Sequence, residues 1–168
     1  MSKYNMPECS DCGKEVDLTN LEKIDNKFVC HSCLYQHHKP FEIYPIGYVE
    51  NLLERGEGFG LKGSKAQVSK IRLFNTQKPF LYKLEEEEWI TVVYYLHKPR
   101  NIQSIFSRGI DRKKVGVFAS RTPDRLSHIG ISNVKLIKIE DTILFVRNLD
   151  AINGTPVLDI KLGQKSRW

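Results

Sequence analysis

All four cysteines fall within the first 33 residues, as C-S-D-C (Cys9, Cys12) and C-H-S-C (Cys30, Cys33), with 17 residues between the pairs. A Cys-x-x-Cys step sets two thiolates on one tight knuckle, at a separation that suits a single tetrahedral ion. Two such knuckles complete a closed site with no open position. Gly13 follows the first pair, where the chain has to turn so that backbone amides face the sulfurs. Redox dithiols or disulfides are the weaker alternative, because the N-terminus M-S-K-Y-N-M-P-E-C-S has no signal-peptide core. We read Cys9, Cys12, Cys30 and Cys33 as ligands of a structural zinc. Four thiolates leave no place for an activated water, and a segment this short depends on the metal to fold. The stretch L-Y-Q-H-H-K-P after Cys33 is expected to begin a short helix, and His31, His37 and His38 are expected to be exposed rather than extra ligands.

The remainder has a different texture. K-P-F-E-I-Y-P reads as a linker, so a zinc-binding module over 1–38 and a second domain over 39–168 are expected. From there the pattern has period two. E-I-Y-P-I-G-Y-V-E, A-Q-V-S-K-I-R-L-F, W-I-T-V-V-Y-Y-L-H, V-G-V-F-A-S, I-S-N-V-K-L-I-K-I, T-I-L-F-V-R-N-L and T-P-V-L-D-I-K all read as strands. Glu140-Asp141 and Asn153-Gly154 are candidate turns. Helix is confined to 101–108 and 82–88. The expectation is a mostly β chain: a small β-barrel carrying an N-terminal zinc-ribbon or treble-clef-like module.

Several function classes are excluded or favoured by composition. At 40% apolar and 10% aromatic the chain can bury a core, and its net charge of +6 favours an anionic partner, nucleic acid foremost. No apolar run reaches the roughly 18 residues of a membrane helix, so a soluble, cytoplasmic chain is expected. G-F-G-L-K-G (58–63) matches the dinucleotide fingerprint only formally, because a strand-like stretch follows it where a helix is needed. The run Glu85–Glu88 reads as a solvated helix end, since consecutive residues do not converge on one point.

The most informative stretch is R-T-P-D-R-L-S-H-I-G-I-S (121–132), set within G-V-F-A-S-R-T-P-D-R-L-S-H-I-G-I-S and followed by D-A-I-N-G-T-P-V-L-D-I-K (150–161). These two motifs resemble the signatures of the TsaA-like, or TrmO, family of S-adenosylmethionine-dependent tRNA methyltransferases. Gly116, Val117, Phe118, Ala119, Arg121, Pro123, Arg125, Ile129, Gly130 and Ser132 match the first signature. Asp150, Gly154, Thr155, Pro156, Leu158, Asp159, Ile160 and Lys161 match the second. Y-P-I-G-Y-V-E-N and W-I-T-V-V-Y-Y-L-H-K are similar to the family's opening and central strands, so the resemblance spans about residues 42–161 and leaves out the cysteine segment. Leu126-Ser127-His128 stands where the family has Pro-Asn-Pro, Trp89 where it often has His, and Asn153 where it usually has Asp.

The resemblance implies a non-Rossmann barrel that binds S-adenosylmethionine near a homodimer interface and methylates the exocyclic nitrogen of threonylcarbamoyl-adenosine beside the tRNA anticodon. It implies a cofactor cradle of Phe118, Ala119, Ser120, Arg121, Ile129, Gly130, Ile131, Ser132 and Asp159. His97, Asp150 and Arg125 are the implied catalytic residues, with the two arginines suited to carboxylate or phosphate. His128 is a variable neighbour. Asp159 is structural or cofactor-facing. One of Tyr94 and Tyr95 lines the pocket and the other packs. Two roles stay open for the zinc module: it grips the anticodon stem-loop through Lys14, Lys23, Lys27 and Lys39 with Phe28 or Tyr35 stacking, or it is a structural cap. A different methyl acceptor, or a non-catalytic zinc-dependent nucleic-acid-binding or S-adenosylmethionine-sensing protein, are the competing functions.

Overall fold

The computed structural model describes residues 6–36, 38–53, 67–98 and 101–164, so the Gly-rich 58–63 stretch and His37 lie outside the described residues. Ten strands appear in chain order: β1 (Leu21–Ile24), β2 (Lys27–Cys30), β3 (Gly47–Glu50), β4 (Val68–Leu73), β5 (Trp89–Tyr95), β6 (Ile105–Ser107), β7 (Lys114–Gly116), β8 (Ile129–Glu140), β9 (Ile143–Arg147) and β10 (Pro156–Leu162). A single short α-helix, α1 (His31–Tyr35), and four 3-10 turns complete the described elements. Contacts divide the chain into two units, Met1–Glu42 with Pro99–Ser127, and Ile43–Lys98 with His128–Trp168.

The second unit is a closed barrel of six antiparallel strands in the order β10-β3-β4-β9-β8-β5. Strict alternation produces it. In β4 the residues Ser69, Ile71 and Leu73 point inward, and Val68, Lys70 and Arg72 point out. Ile71, Ile90, Val92, Val134, Leu144, Val146 and Val157 are fully buried and fill the interior. Closure leaves no strand edge unpaired. Of the seven expected strands, six build the barrel. The fourth 3-10 turn, Val117–Ala119, interrupts V-G-V-F-A-S after β7, which pairs instead with β6 in a separate two-stranded sheet.

Two local expectations are corrected. Residues 101–108 are not helical: Ile102 makes a parallel bridge to Ile24, and β6 follows. The hairpin between β8 and β9 turns at Asp141–Thr142, one residue later than expected, with Asp141 in the left-handed region at φ 55°. The segment 82–88 contains a 3-10 turn, Leu84–Glu86, and a longer one, Asn75–Leu81, precedes it.

The first unit has its own small core of Cys9, Leu21, Val29 and Cys30, against which Val16, Phe28 and Leu34 pack. It runs from a knuckle at Cys9–Cys12 through the β1-β2 hairpin into α1, the order of a treble-clef-like module. No helix among the described residues is long and apolar enough to cross a membrane.

Candidate functional site

Each cysteine pair is held by backbone chemistry. Gly13, at φ 69°, donates its N–H to the Cys9 carbonyl at 2.8 Å and closes the first knuckle in a conformation that a side chain would strain. Cys30 ends β2 and caps the N-terminus of α1, which places Cys33 in the helix's first turn. The Cys30 N–H donates to the Cys9 sulfur at 3.3 Å. All four Sγ atoms lie within 4.8 Å of one another, with Cys9–Cys33 and Cys12–Cys30 at 3.9 Å. A tetrahedral ion with ~2.3 Å metal–sulfur bonds separates its sulfurs by about 3.8 Å, so the donor set fits such an ion. The Cys30 amide first of all draws the Cys9 thiol down to about 6, while hydrogen bonding with the thiols of Cys30 and then Cys12 pushes Cys33 up to about 12. Four sulfurs this close cannot all ionise unless a cation sits among them. His31 leans on Glu22 and Tyr35, and no histidine among the described residues joins the cluster.

The same unit holds the stretch 117–127. Its conformation is set from within by Arg125, whose Nε donates to the Thr122 carbonyl at 2.9 Å and whose Nη2 donates to the carbonyls of Ser120 (2.6 Å) and Val117 (3.3 Å). One guanidinium thus gathers three carbonyls that a loop would otherwise leave to water. Ser120 Oγ donates to Val117 O at 2.8 Å, and Arg108 reaches Ala119 O while paired to Asp111 at 2.5 Å. Phe118, in the middle of the Val117–Ala119 turn, is 86% exposed. Arg121 is exposed as well, and among the described residues nothing is bonded to its guanidinium. Asp124 accepts from Thr122 Oγ1 at 3.1 Å through one oxygen, and its buried Oδ1 has no hydrogen-bond partner among the described residues.

In the barrel unit the register of β5 and β8 sets Tyr94 directly across from Gly130. A Cβ on Gly130 would lie 2.2 Å from Tyr94 Cε2, so the space over Gly130 belongs to the tyrosine ring. That ring is buried, and its hydroxyl donates to the Asp150 carbonyl at 2.7 Å and stands 3.1 Å from Ser132 Oγ. Ser132 Oγ also accepts from the Asp150 N–H at 3.4 Å. Burial pushes the Tyr94 phenol up to about 12, which keeps it protonated and a donor at any physiological pH. Tyr95, on the opposite face, is exposed and meets His128 edge-on at 6.0 Å.

His97 lies two residues beyond β5 and is half-buried, with a buried Nδ1 that has no partner among the described residues. Its Nε2 faces Gly154, the left-handed turn residue at φ 76°, where a Cβ would be 4.0 Å away. Burial, then Lys98, holds its pKa below the ordinary value, so the imidazole is neutral at pH 7. A neutral imidazole with a free ring nitrogen can accept a proton. Ile129 is half-buried and Ile131 is 63% exposed on the outer face of β8. Asp159 is tied into β10: one oxygen accepts from the Ile160 N–H at 2.8 Å, and the other pairs with Lys161 at 2.6 Å. The structure therefore joins Tyr94, Gly130, Ser132 and Asp150 in one network, sets His97 beside Gly154, and leaves Asp159 in local contacts. Phe118, Ala119, Ser120, Arg121 and Arg125 belong to the other unit. Sequence reasoning gave the Tyr94 hydroxyl and the Arg125 carbonyl clasp no such roles. For Tyr94 the signal was available, because Ile90, Val92 and Tyr94 alternate onto the buried face of one strand.

Comparison with known proteins gives concordant results. The model of the tRNA-methyltransferase O N-terminal domain matches residues 60–162. A human tRNA (adenine(37)-N6)-methyltransferase is 30% identical over 126 residues, which are 70% of this chain and 29% of that protein. A probable S-adenosyl-L-methionine-binding protein of Methanothermobacter thermautotrophicus is 36% identical over 121 residues, covering 71% of this chain and 87% of its own. The crystal structure of TrmO from Pseudomonas aeruginosa superposes with a TM-score of 0.60 at 26% identity, over 74% of this chain and 56% of that one. The chain thus spans under a third of the human relative and little more than half of the bacterial structure. With the matched segment running from before β4 to the end of β10, this chain belongs to the family of the tRNA-methyltransferase O N-terminal domain.

Proposed function

We propose that this chain binds S-adenosylmethionine and transfers its methyl group to the N6 atom of adenosine 37 in tRNA, with threonylcarbamoyl-adenosine as the acceptor nucleoside. The observation that carries the reading is a family match covering the barrel from β4 to β10, in a relative set named for tRNA (adenine(37)-N6) methylation and for S-adenosylmethionine binding. The cofactor supplies an electrophilic methyl on sulfur; the acceptor nitrogen loses one proton as its bond to that methyl forms. Alignment of donor and acceptor then provides most of the rate, and a nearby base takes the proton. His97 is the chain's base for that step, being neutral at pH 7 with an unengaged buried nitrogen. Tyr94 is excluded from the role because its phenol stays protonated. Its hydroxyl instead holds Ser132 and the Asp150 backbone in fixed relation.

Phe118, Ala119, Ser120, Arg121, Ile129, Gly130, Ile131, Ser132 and Asp159 are proposed as the cofactor-contacting set, and Asp150 as a second polar group toward the acceptor. Arg121, exposed and unengaged, is the arginine for an anionic group of cofactor or RNA. Arg125 is assigned to shaping the loop through its three carbonyls. Zinc is proposed for Cys9, Cys12, Cys30 and Cys33 on the strength of the 3.9 Å sulfur spacings. Titration calorimetry with S-adenosylmethionine on wild type and Arg121→Ala, followed by methyl transfer to tRNA with and without the threonylcarbamoyl group, tests the whole reading. Binding by wild type weakened in the variant, with transfer only to modified tRNA, is the expected result; no binding by folded, metal-loaded wild type ends it. A second reading, cofactor binding without catalysis, is favoured by the archaeal relatives named only for S-adenosyl-L-methionine binding. Binding without transfer to any tRNA would establish it.

A further inference from the structure

The outer surface of the barrel is not uniform. Across β4, β9 and β8 the register aligns three outward rows: Val68, Arg147 and Lys135; Lys70, Phe145 and Lys138; Arg72, Ile143 and Glu140. Five cations therefore share one curved face with a single acid, Glu140. The centre of the face is Phe145, half-buried, with the Lys138 ammonium 4.5 Å and the Lys70 ammonium 5.6 Å from its ring centroid. Part of this charge is neutralised: Glu140 within the face pairs with Lys138 at 2.5 Å, and Glu50 of β3 and Glu88 before β5 approach Arg72 at 2.6 Å and Lys135 at 3.1 Å. Among the described residues, neither Lys70 nor Arg147 has a carboxylate within ion-pair distance, although Lys70 lies across from Glu50 in register and feels its charge.

We infer that this face binds the sugar-phosphate backbone of RNA, with Lys70 and Arg147 as its principal phosphate contacts. The inference rests on the reading of the chain as a tRNA-modifying protein, and adds to it a surface on the barrel wall built from residues other than those proposed for methyl transfer. Three features favour it. Outward residues on one strand repeat at about 7 Å and adjacent strands are about 4.8 Å apart, so the cations form a lattice rather than one point charge. Packing of Lys70 and Lys138 on one aromatic ring holds both ammonium groups in place before a ligand arrives, which lowers the ordering cost of contacting phosphates. Finally, a ring already faced by two ammonium groups is poorly placed for base stacking, so recognition here falls on the backbone and is independent of base sequence.

The test is fluorescence anisotropy of a labelled unmodified tRNA transcript against the full chain, repeated over a series of salt concentrations. The variants are K70Q/R147Q and, as a control for net charge, K78Q/K83Q, whose lysines pair locally with Asp141 and Glu86. Calorimetry with S-adenosylmethionine runs beside each. Loss of two phosphate contacts should reduce the slope of log K against log salt by about 2, with affinity falling about tenfold at moderate salt. K78Q/K83Q should bind as wild type does, and cofactor binding should be the same in all three. A third variant, Phe145→Leu, keeps every charge but removes the ring, and should weaken binding several-fold without changing the slope. Equal affinity and slope in K70Q/R147Q and wild type would overturn the assignment of this face. So would a wild type that binds no tRNA but binds acidic phospholipid vesicles. In either case the calorimetry reports separately on whether the cofactor reading survives.

Discussion

Gly130 has no side chain because Tyr94 occupies the place where one would go. At this scale the structure makes sharp claims. Gly130→Ala drives a methyl into a buried ring across a paired strand, so a loss of at least about 1–3 kcal/mol is expected from overpacking. Urea unfolding read by tyrosine fluorescence measures it. Tyr94→Phe keeps the ring and removes the hydroxyl's bonds to the Asp150 carbonyl and Ser132, and should cost about 0.5–1.5 kcal/mol by the same measurement. His97 gives a pH prediction with a definite sign. Its folded pKa lies below the unfolded value of ~6.5, so the unfolded chain binds the proton more readily. Stability is undiminished above that value, falls as pH drops through it, and levels off below the folded pKa. His97→Gln should flatten this part of a melting-temperature profile between pH 7.5 and 5. The sequence showed His97, Ser132 and Asp150 as members of motifs, yet the atom joining two of them is a tyrosine hydroxyl, which motif matching does not weigh. Arg125 teaches the converse: its side chain looked free for a ligand, and only coordinates reveal three backbone carbonyls around it.

Among the elements, period-two alternation made the six barrel strands legible, since each has one face buried and one wet. Residues 101–108 depart from the helix that their spacing predicts for an equally physical reason. Ile102, Ile105 and Phe106 are spaced i, i+3, i+4, the signature of an amphipathic helix, but Ile102 bridges to Ile24 and Ile105 and Phe106 pair with Gly116 and Val115. Long-range pairing overrode the local pattern. The cysteine spacing needed no such help. There α1 is only five residues long, well below the ~12–15 needed for a helix to persist alone, so it is held by the small core against which Leu34 packs and by the metal proposed for the four cysteines. Chelation of bound metal, or Cys33→Ser, should abolish hydrogen-exchange protection of Phe28 through Leu34. Barrel amides such as Ile71 and Val92 should keep theirs, as the two cores are distinct.

For the molecule as a whole, stability resides in the barrel interior. Leu144, fully buried between β4 and β8, should lose about 2–5 kcal/mol on truncation to alanine. The same closure makes the barrel intolerant of losing a strand. Ending the chain at residue 155 removes β10 and strips its partners β3 and β5, two bare edges that template association between copies. Such a truncation is expected to appear in the void volume on size exclusion.

The ring order also has a temporal meaning. The strand that closes the barrel is the last of the barrel strands to be synthesised, and it joins β3, more than a hundred residues earlier, to β5. A ribosome making this chain releases both cysteine knuckles long before it delivers Pro156. The cysteine unit's hairpin and helix can thus assemble during translation, whereas the barrel can only close once β10 has left the exit tunnel.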